Sequence, residues 1–353
     1  MIKLAKSYII QKFSPSWFAC VMGTGIVAVD SYLYAEQCIF LKRLAIISWV
    51  FTMLFFLIIL IPWVLRFMLY KKEASLDFKD AVTGQFYATM PIACLVIAVD
   101  LMIVGIHYMN ADIAIQLAKT FWLTGVLIAL PGSIIIPLQN FINQDVKIEN
   151  INPAWFMPPV SLIVIPVAGT KLIPFWPISW QQSMLVFNYI SWSGGFFLFL
   201  ILEVICIYRF ICCPLLPGKL APTVWINLGP IGVGTISLIN LGTASVSTLG
   251  EYVQSVLNIG ALFLWGFGFW WLMCALVLTS YYLSQKNLPF SLSWWAFTFP
   301  LGAYTGATYL VSTVLNSSAV LSYGYFCLYL LLTLWFVVLV KTIKGVIKSE
   351  VFL

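Results

Sequence analysis

The sequence predicts an all-α integral membrane protein with ten transmembrane helices, arranged as five helical hairpins. Its mean hydropathy of +1.01 and its charged fraction of 8% lie outside the range of soluble globular proteins. Apolar runs of about 20 residues, enough to cross a hydrocarbon core ~30 Å thick, recur along the whole chain. An aromatic residue also returns at nearly equal intervals, which indicates an internal repeat. The repeated positions are Trp17, Phe86, Trp155, Trp225 and Trp295.

Each repeat holds two apolar runs, so we expect a single polytopic membrane domain, 1–353, made of five hairpins of roughly 70 residues. The predicted hairpins lie at about 13–80, 81–150, 151–218, 219–288 and 289–353. The predicted spans are roughly 15–35, 43–69, 83–106, 113–138, 154–173, 183–210, 221–246, 254–283, 292–315 and 319–343.

The two helices of each hairpin differ in composition. First helices are rich in small and hydroxyl residues, as in "MGTGIVAV" and "PPVSLIVIPVAG", whereas second helices are bulky, as in "VFTMLFFLIILIPWVL". Small residues let transmembrane backbones approach closely, and bulky apolar residues suit a surface that faces lipid. We therefore expect the five first helices to form an inner ring and the five second helices to surround it.

Helix-weakening residues follow each repeated aromatic at nearly the same distance. Proline removes an amide donor and kinks a helix, and irregular backbone at membrane depth is tolerated where it lines a watery cavity. Five kinked helices around one axis therefore favour a central pore. The alternative is that proline is simply commoner in transmembrane helices than in soluble ones. The predicted kink residues are Gly23, Gly25, Pro91, Pro159, Pro230 and Pro300.

The distribution of basic residues predicts the orientation of the chain. With the N-terminus inside, the outer side keeps Lys42, Arg43, Lys119 and Lys171, and the inner side holds the other 14 of the 18, from Lys3 onward. Basic residues accumulate in cytoplasmic loops, so both termini are expected in the cytoplasm and the protein in a cell inner or plasma membrane. The net charge of +6 then reflects topology and does not indicate nucleic-acid binding.

Four segments resemble a known family. They are "PSWFACVMGTGI" (15–26), "NPAWFMPPV" (152–160), "APTVWINLGPIGVG" (221–234) and "WWAFTFPLG" (294–302). With these segments the chain resembles the tellurite-resistance/dicarboxylate transporter family, which includes malate carriers, sulfite exporters and the slow anion channels of plants. The resemblance implies quasi-fivefold symmetry around a central pore, one pore per subunit, and a homotrimer. It also implies a phenylalanine on the ninth helix that plugs the pore, which is Phe299 here; the alternative is a buried core aromatic.

Hydroxyl side chains and backbone amides are the expected donors along the path. The first helices are nearly free of basic side chains, which suits a path that must bind an ion weakly enough to release it. The pore-lining candidates are Thr24, Thr89, Ser161, Thr235 and Thr298. For each of these residues, the alternative is packing between helices or a bond to its own backbone.

Two acidic residues stand at nearly equivalent places in successive repeats. Asp30 follows Trp17, and Asp100 follows Phe86, at almost the same distance along the chain. Ionisable residues inside membrane spans are costly and indicate function by default. Asp30 and Asp100 are therefore interpreted as proton acceptors of a coupled carrier or as selectors at the outer mouth. The alternative places both in solvent at helix ends. Glu203 and His107 are also inside spans, and no role is assigned to them.

The sequence favours transport over catalysis. It has a single histidine, no cysteine cluster with zinc spacing and no phosphate-binding loop, so we expect no enzyme, no metal and no cofactor. The predicted function is transport of small anions, such as a C4-dicarboxylate (malate), sulfite or inorganic anions, through a Phe-gated pore, as a secondary transporter or a channel. One alternative is a passive, voltage- or ligand-gated inorganic anion channel without coupling. Another is a membrane-embedded enzyme or scaffold. The expected partners are small anions and the lipid bilayer.

Overall fold

The computed structural model describes residues 6–36, 38–143 and 146–352, and Lys3 lies outside them. Within these ranges the regular structure is helical throughout, with no β-strand. The α-helices are α1 (Lys6–Gln11), α2 (Phe18–Leu33), α3 (Ile39–Leu69), α4 (Lys71–Lys79), α5 (Thr89–Asp100), α6 (Ile106–Tyr108), α7 (Ala111–Asn143), α8 (Met157–Ile163), α9 (Ile165–Leu172), α10 (Ile178–Cys212), α11 (Leu228–Leu249), α12 (Glu251–Ser284), α13 (Phe299–Leu315) and α14 (Ser318–Ile347). A π-helical turn, Leu101–Gly105, connects α5 to α6.

The molecule is an integral membrane protein that crosses the bilayer several times. In the part of the chain that the structure describes, nine helices are long and apolar enough to span a membrane. The predicted ninth span differs, because Thr298 separates the 17-residue helix α13 from the 3-10 turn Leu292–Phe297. The count of ten spans and the repeat boundaries stay predictions.

Burial separates the helices into two sets, as the composition of the hairpins predicts. In four of the first-helix spans, between 78% and 89% of the most apolar stretch is buried within the protein, whereas in the second helices the figure is 28–33%. The buried set consists of α2, α5, the α8–α9 pair, α11 and α13, and its members contact one another in a closed order that returns from α13 to α2. The bulky helices α3, α7, α10, α12 and α14 therefore form the surface that faces lipid.

Each buried span begins with a 3-10 turn that carries the repeated aromatic residue. Four of these turns are followed by a proline at the second or third position of the next α-helix, where the missing amide hydrogen would have no helical partner. The prolines therefore mark the passage from 3-10 to α geometry and do not interrupt the middle of a regular helix. The turns are Pro15–Trp17, Thr83–Ala88, Pro153–Phe156, Ala221–Asn227 and Leu292–Phe297.

A set of tryptophans connects four of the five lipid-facing helices to the buried helix of the next hairpin. They are not among the residues predicted from the sequence, although they too recur once per hairpin, at Trp49, Trp122, Trp192, Trp265 and Trp335. Four of the five indole N–H groups donate a hydrogen bond across hairpins, and Trp335 of the last hairpin donates to Thr24 of the first. The bonds are Trp122 to the Ile165 carbonyl (3.0 Å), Trp192 to the Gly234 carbonyl (3.2 Å), Trp265 to Thr308 Oγ1 (3.0 Å) and Trp335 to Thr24 Oγ1 (3.2 Å).

Candidate functional site

Two cavities lie between the five buried helices. We call the one beside the 3-10 turns the inner cavity, since the predicted topology places those turns on the cytoplasmic side. Its wall includes Ser16, Ala19, Thr89, Met157, Thr223, Ser293 and Phe299. The outer cavity is lined further along the same helices by Ile26, Asp30, Val96, Val167, Lys171, Ile236, Asn240, Phe299, Gly306 and Leu310.

Phe299 is the first residue of α13, and its ring contributes to the wall of both cavities. Among the described residues, Phe299 is the one that lines both the inner and the outer cavity. It therefore lies where the two cavities meet.

The outer cavity is apolar next to Phe299 and polar beyond it. Each of the five buried helices contributes one residue to the apolar layer, at the same repeat spacing: Ile26, Val96, Val167, Ile236 and Gly306. One helical turn further, Asp30, Lys171 and Asn240 supply the polar groups of the wall. This layer offers no hydrogen-bond donor from a side chain.

Asp30 and Asp100 are both fully buried, at 0% exposure, which overturns their alternative placement in solvent at helix ends. Neither carboxyl group has a hydrogen-bond partner among the described residues. The two carboxyl groups differ in position. Asp30 lines the outer cavity, and its Oδ1 packs against Gly306, where an added methyl group would lie only 2.9 Å away. Asp100 is not part of that cavity wall, and its Oδ2 packs in the same way against Gly25 of α2.

Of the five predicted hydroxyl groups, Thr89 lines a cavity on the axis. Its Oγ1 donates to the carbonyls of Pro15 (2.8 Å) and Phe86 (2.6 Å). Thr24 accepts from Trp335, and Ser161 lines a lateral pocket together with residues of α3, α5 and α7. Thr235 and Thr298 donate to carbonyls of their own segments, at 2.8 Å and 2.7 Å, and are absent from both cavity walls.

The hydroxyl groups that the sequence-based prediction missed lie in the 3-10 turns. Ser16, Thr223 and Ser293 line the inner cavity together with Thr89. A signal for them exists in the sequence, because each lies one or two residues before a repeated tryptophan. The predicted hydroxyl residues were sought in the first helices, whereas these three lie in the turns before them.

Gly23 and Gly25 allow close packing of their helix against its neighbours. Helix α2 continues without a break from Phe18 to Leu33. A methyl group on Gly23 would overlap Thr298 Oγ1, and one on Gly25 would lie 2.5 Å from a Val96 methyl carbon. Neither position has room for a side chain, so the two glycines bring α2 against α13 and α5. Their role as kinks stays a prediction.

The other ionisable residues of the spans lie away from both cavities. Glu203 is buried and its Oε1 accepts a hydrogen bond from Asn227 Nδ2 at 2.8 Å. His107 stacks on Tyr32 with ring centroids 5.4 Å apart. Among the described residues, no group of three or more histidine, cysteine or acidic side chains could hold a metal ion.

Residues 12–343 match the family model described as the voltage-dependent anion channel. The chain belongs to this family. It is 40% identical to an uncharacterized transporter of Methanocaldococcus jannaschii, over 99% of this chain and 97% of that protein. It is 23% identical to a sulfite efflux pump of Arthroderma otae, over 97% of this chain and 93% of that protein. It is 20% identical to a malic acid transport protein of Schizosaccharomyces pombe, over 97% of this chain and 80% of that protein. The family resemblance stated from the sequence is thereby confirmed.

Proposed function

We propose that this chain moves small anions across a membrane along the axis of its five buried helices, with Phe299 as the gate. The observation that carries the proposal is that Phe299, alone among the described residues, lines both cavities. A rotamer change of that ring, or a small movement at Thr298, would join the cavities. We assign the chain no enzymatic activity, and the relatives named above are transporters and an efflux pump.

The inner cavity suits an anion. It lies at the N-terminal ends of all five buried helices, where the partial positive charge of each helix dipole is directed. No basic side chain of the described residues borders it, and the hydroxyl groups of Thr89, Thr223 and Ser293 in its wall donate to backbone carbonyls in this structure. These hydroxyl groups would have to rotate to donate to an anion, so the helix ends supply the main attraction. Weak, distributed attraction of this kind lets an anion enter and leave, as conduction requires.

The substrates we propose are small carboxylate and oxyanion species such as malate and sulfite, in keeping with the printed names of the relatives. Two modes of transport are compatible with the path. A passive channel needs only the ring of Phe299 to move. A proton-coupled carrier is favoured by one observation, the buried carboxyl of Asp30 in the outer cavity without any hydrogen-bond partner in the described residues.

Anion flux into proteoliposomes, measured for the wild type and for Phe299→Ala, tests the gate. We expect the substitution to raise the flux of malate, sulfite, chloride and nitrate by on the order of tenfold or more, because each ~1.4 kcal/mol removed from a barrier is tenfold in rate. The matched control is Phe297→Ala. Phe297 is equally buried and only two residues away, but it packs on Trp225 and Trp294 and lines neither cavity. Its substitution is expected to lower stability without raising flux.

Equal increases in the two variants would mean that any loss of packing opens the bundle, and Phe299 would lose its assignment. Unchanged flux in Phe299→Ala, with an active wild type, would leave anion transport in place and remove the gate.

We also propose that both termini are cytoplasmic and that the protein is a homotrimer. The orientation follows from the basic residues and has a direct test, because Cys38, before α3, and Cys212, at the end of α10, are both exposed. A membrane-impermeant thiol reagent added to intact cells is expected to label Cys38 and to spare Cys212 until the membrane is permeabilised. The reverse pattern would invert the topology. The mass of the detergent-solubilised particle tests the trimer.

A further inference from the structure

Lys171 is the one cationic side chain among the described residues that line the outer cavity. It lies in the last turn of α9 and also lines an adjoining polar groove, which we call the outer groove, with Thr170, Gln181, Asn240, Thr243 and Ser247. The side chain remains accessible to solvent. The ammonium group therefore stands where an open, polar surface passes into the path between the helices.

The position of Lys171 is part of the repeat. The equivalent positions of the five buried spans form a layer with one member from each: Asp30, Asp100, Lys171, Asn240 and Leu310. Four of them line the outer cavity, and Asp100 is the member that faces away. In the sequence, Lys171 contributes only to the topology argument, as an outer basic residue. The structure places it on the wall of the path.

No ion pair joins Lys171 to Asp30 among the described residues, although both line the same cavity. The ammonium group also has no hydrogen-bond partner within the described ranges. Its three donors are therefore available to a ligand. Asn240 borders both the cavity and the outer groove. Its Nδ2 donates to the Val167 carbonyl at 3.4 Å and carries a second hydrogen for a ligand.

We propose that Lys171 and Asn240 form an anion-binding site at the outer mouth, which takes small carboxylates and oxyanions as they enter or leave. This site rests on the proposed anion transport. Lysine is a compact point charge without the planar fork of arginine, so the site recognises charge more than shape. Lys171 thus sets selectivity for charge at the mouth, while the apolar layer and Phe299 control passage.

Concentration-dependent uptake of sulfite and malate from the outer face of oriented proteoliposomes tests the site. Lys171→Gln is expected to raise the KM for both anions on the order of five- to tenfold at ~0.01 M salt, where the Debye length is ~30 Å. At ~0.15 M salt that length falls to ~8 Å, so the difference from the wild type should narrow. Lys171→Arg is expected to keep the low KM, because the charge is retained.

Lys119→Gln is the matched control. Lys119 is another basic residue of the predicted outer side, but its Nζ donates to the Phe175 carbonyl at 2.5 Å and lies over the Trp176 ring, outside the cavity wall. We expect the Lys119→Gln variant to have the same KM for sulfite and malate as the wild type. A rise in both variants would show that general surface charge attracts the anion, and the specific site would be overturned.

Restoring the charge separates electrostatics from packing. In a Cys38→Ser, Cys212→Ser background, Lys171→Cys should show the raised KM, and modification with aminoethyl methanethiosulfonate should return it toward the wild-type value. A negatively charged reagent should raise it further. Equal responses to the two reagents would overturn the proposal. If the wild type moves no anion at all, the proposed function fails. If the wild type is active and Lys171→Gln keeps its KM, only the site fails.

Discussion

Asp30 and Asp100 occupy equivalent positions in successive repeats, yet the structure gives them different surroundings. Asp30 borders the outer cavity and Gly306, whereas Asp100 is enclosed near Gly25 and directly precedes a π-helical turn. The sequence could establish the equivalence, because both follow a repeated aromatic at almost the same distance. It could not establish which carboxyl faces the axis, because a small rotation of one helix moves a side chain from the cavity to a helix interface.

Replacing each carboxyl by an amide tests its part in proton coupling. If the protein is a coupled carrier, Asp30→Asn should abolish the stimulation of malate uptake by an inward proton gradient, because the amide cannot accept a proton. Asp100→Asn should keep the stimulation, because Asp100 does not line the path. The measurement is uptake into proteoliposomes with and without the gradient, for both variants and the wild type.

Two outcomes would contradict that expectation. Stimulation that survives in Asp30→Asn would remove Asp30 from proton coupling. A wild type that ignores the gradient would make the protein a passive channel, and Asp30 would have no part in proton coupling.

At the scale of single elements, the lipid-facing helices are longer than their apolar runs predict. Helix α7 extends over 33 residues, Ala111–Asn143, although Pro131 and Pro137 lie inside it, and its apolar run predicts 113–138. Helix α10 extends over 35 residues, Ile178–Cys212. About 20 residues suffice for the hydrocarbon core, so the ends of these helices continue beyond it. Hydropathy identifies each span but not its ends, because helical backbone bonding does not stop where the apolar run stops.

Helices α11 and α13 approach each other closely at Gly232. A methyl group on Gly232 would overlap the backbone of Ala303 and Tyr304, which cannot move without separating the helices. Gly232→Ala should therefore lower the free energy of unfolding by about 1–3 kcal/mol, the range typical of overpacking. Gly229→Ala is the control on the same helix, because its nearest neighbours would lie 3.8 Å away or more.

Thermal unfolding of the detergent-solubilised protein provides the comparison. The control, Gly229→Ala, should leave the melting temperature unchanged or raise it slightly, because alanine stabilises a helix relative to glycine by up to about 1 kcal/mol. Equal melting temperatures for Gly232→Ala and the wild type would show that α11 and α13 can separate at no cost, contrary to their packing in the structure.

At the scale of the whole molecule, the tryptophan bonds connect the hairpins in sequence, and one of them closes the chain on itself. Trp335 in α14 donates to Thr24 in α2, so the last hairpin is joined to the first. Trp49 provides a contrast, because its indole N–H has no partner among the described residues. The closed order of contacts among the buried helices and these bonds are consistent with the predicted quasi-fivefold arrangement, whose symmetry stays a prediction.

Removing single indole donors tests this closure. Trp335→Phe should lower the free energy of unfolding by about 0.5–1.5 kcal/mol more than Trp49→Phe, because only the first loses a hydrogen bond. Both variants lose a similar amount of aromatic surface, so the difference isolates the bond. The measurement is chemical or thermal unfolding in detergent. A Trp49→Phe loss as large as that of Trp335→Phe would show that ring packing, and not the bond to Thr24, joins the two ends of the chain.

Composition and periodicity are enough to establish the membrane class and the division into buried small-residue helices and bulky lipid-facing helices. The family follows from the resemblance of four sequence segments. All of these features can be read along the chain without knowing which helices are in contact. Which polar groups reach the path emerges only from the folded molecule: Asp30 but not Asp100, Thr89 but not Thr24, and Lys171, which topology alone assigns to the outer side. The reason is geometric, because facing the axis depends on how each helix is rotated against its two neighbours. That rotation is set by contacts between residues distant in sequence, such as Gly23 with Thr298 and Gly232 with Ala303.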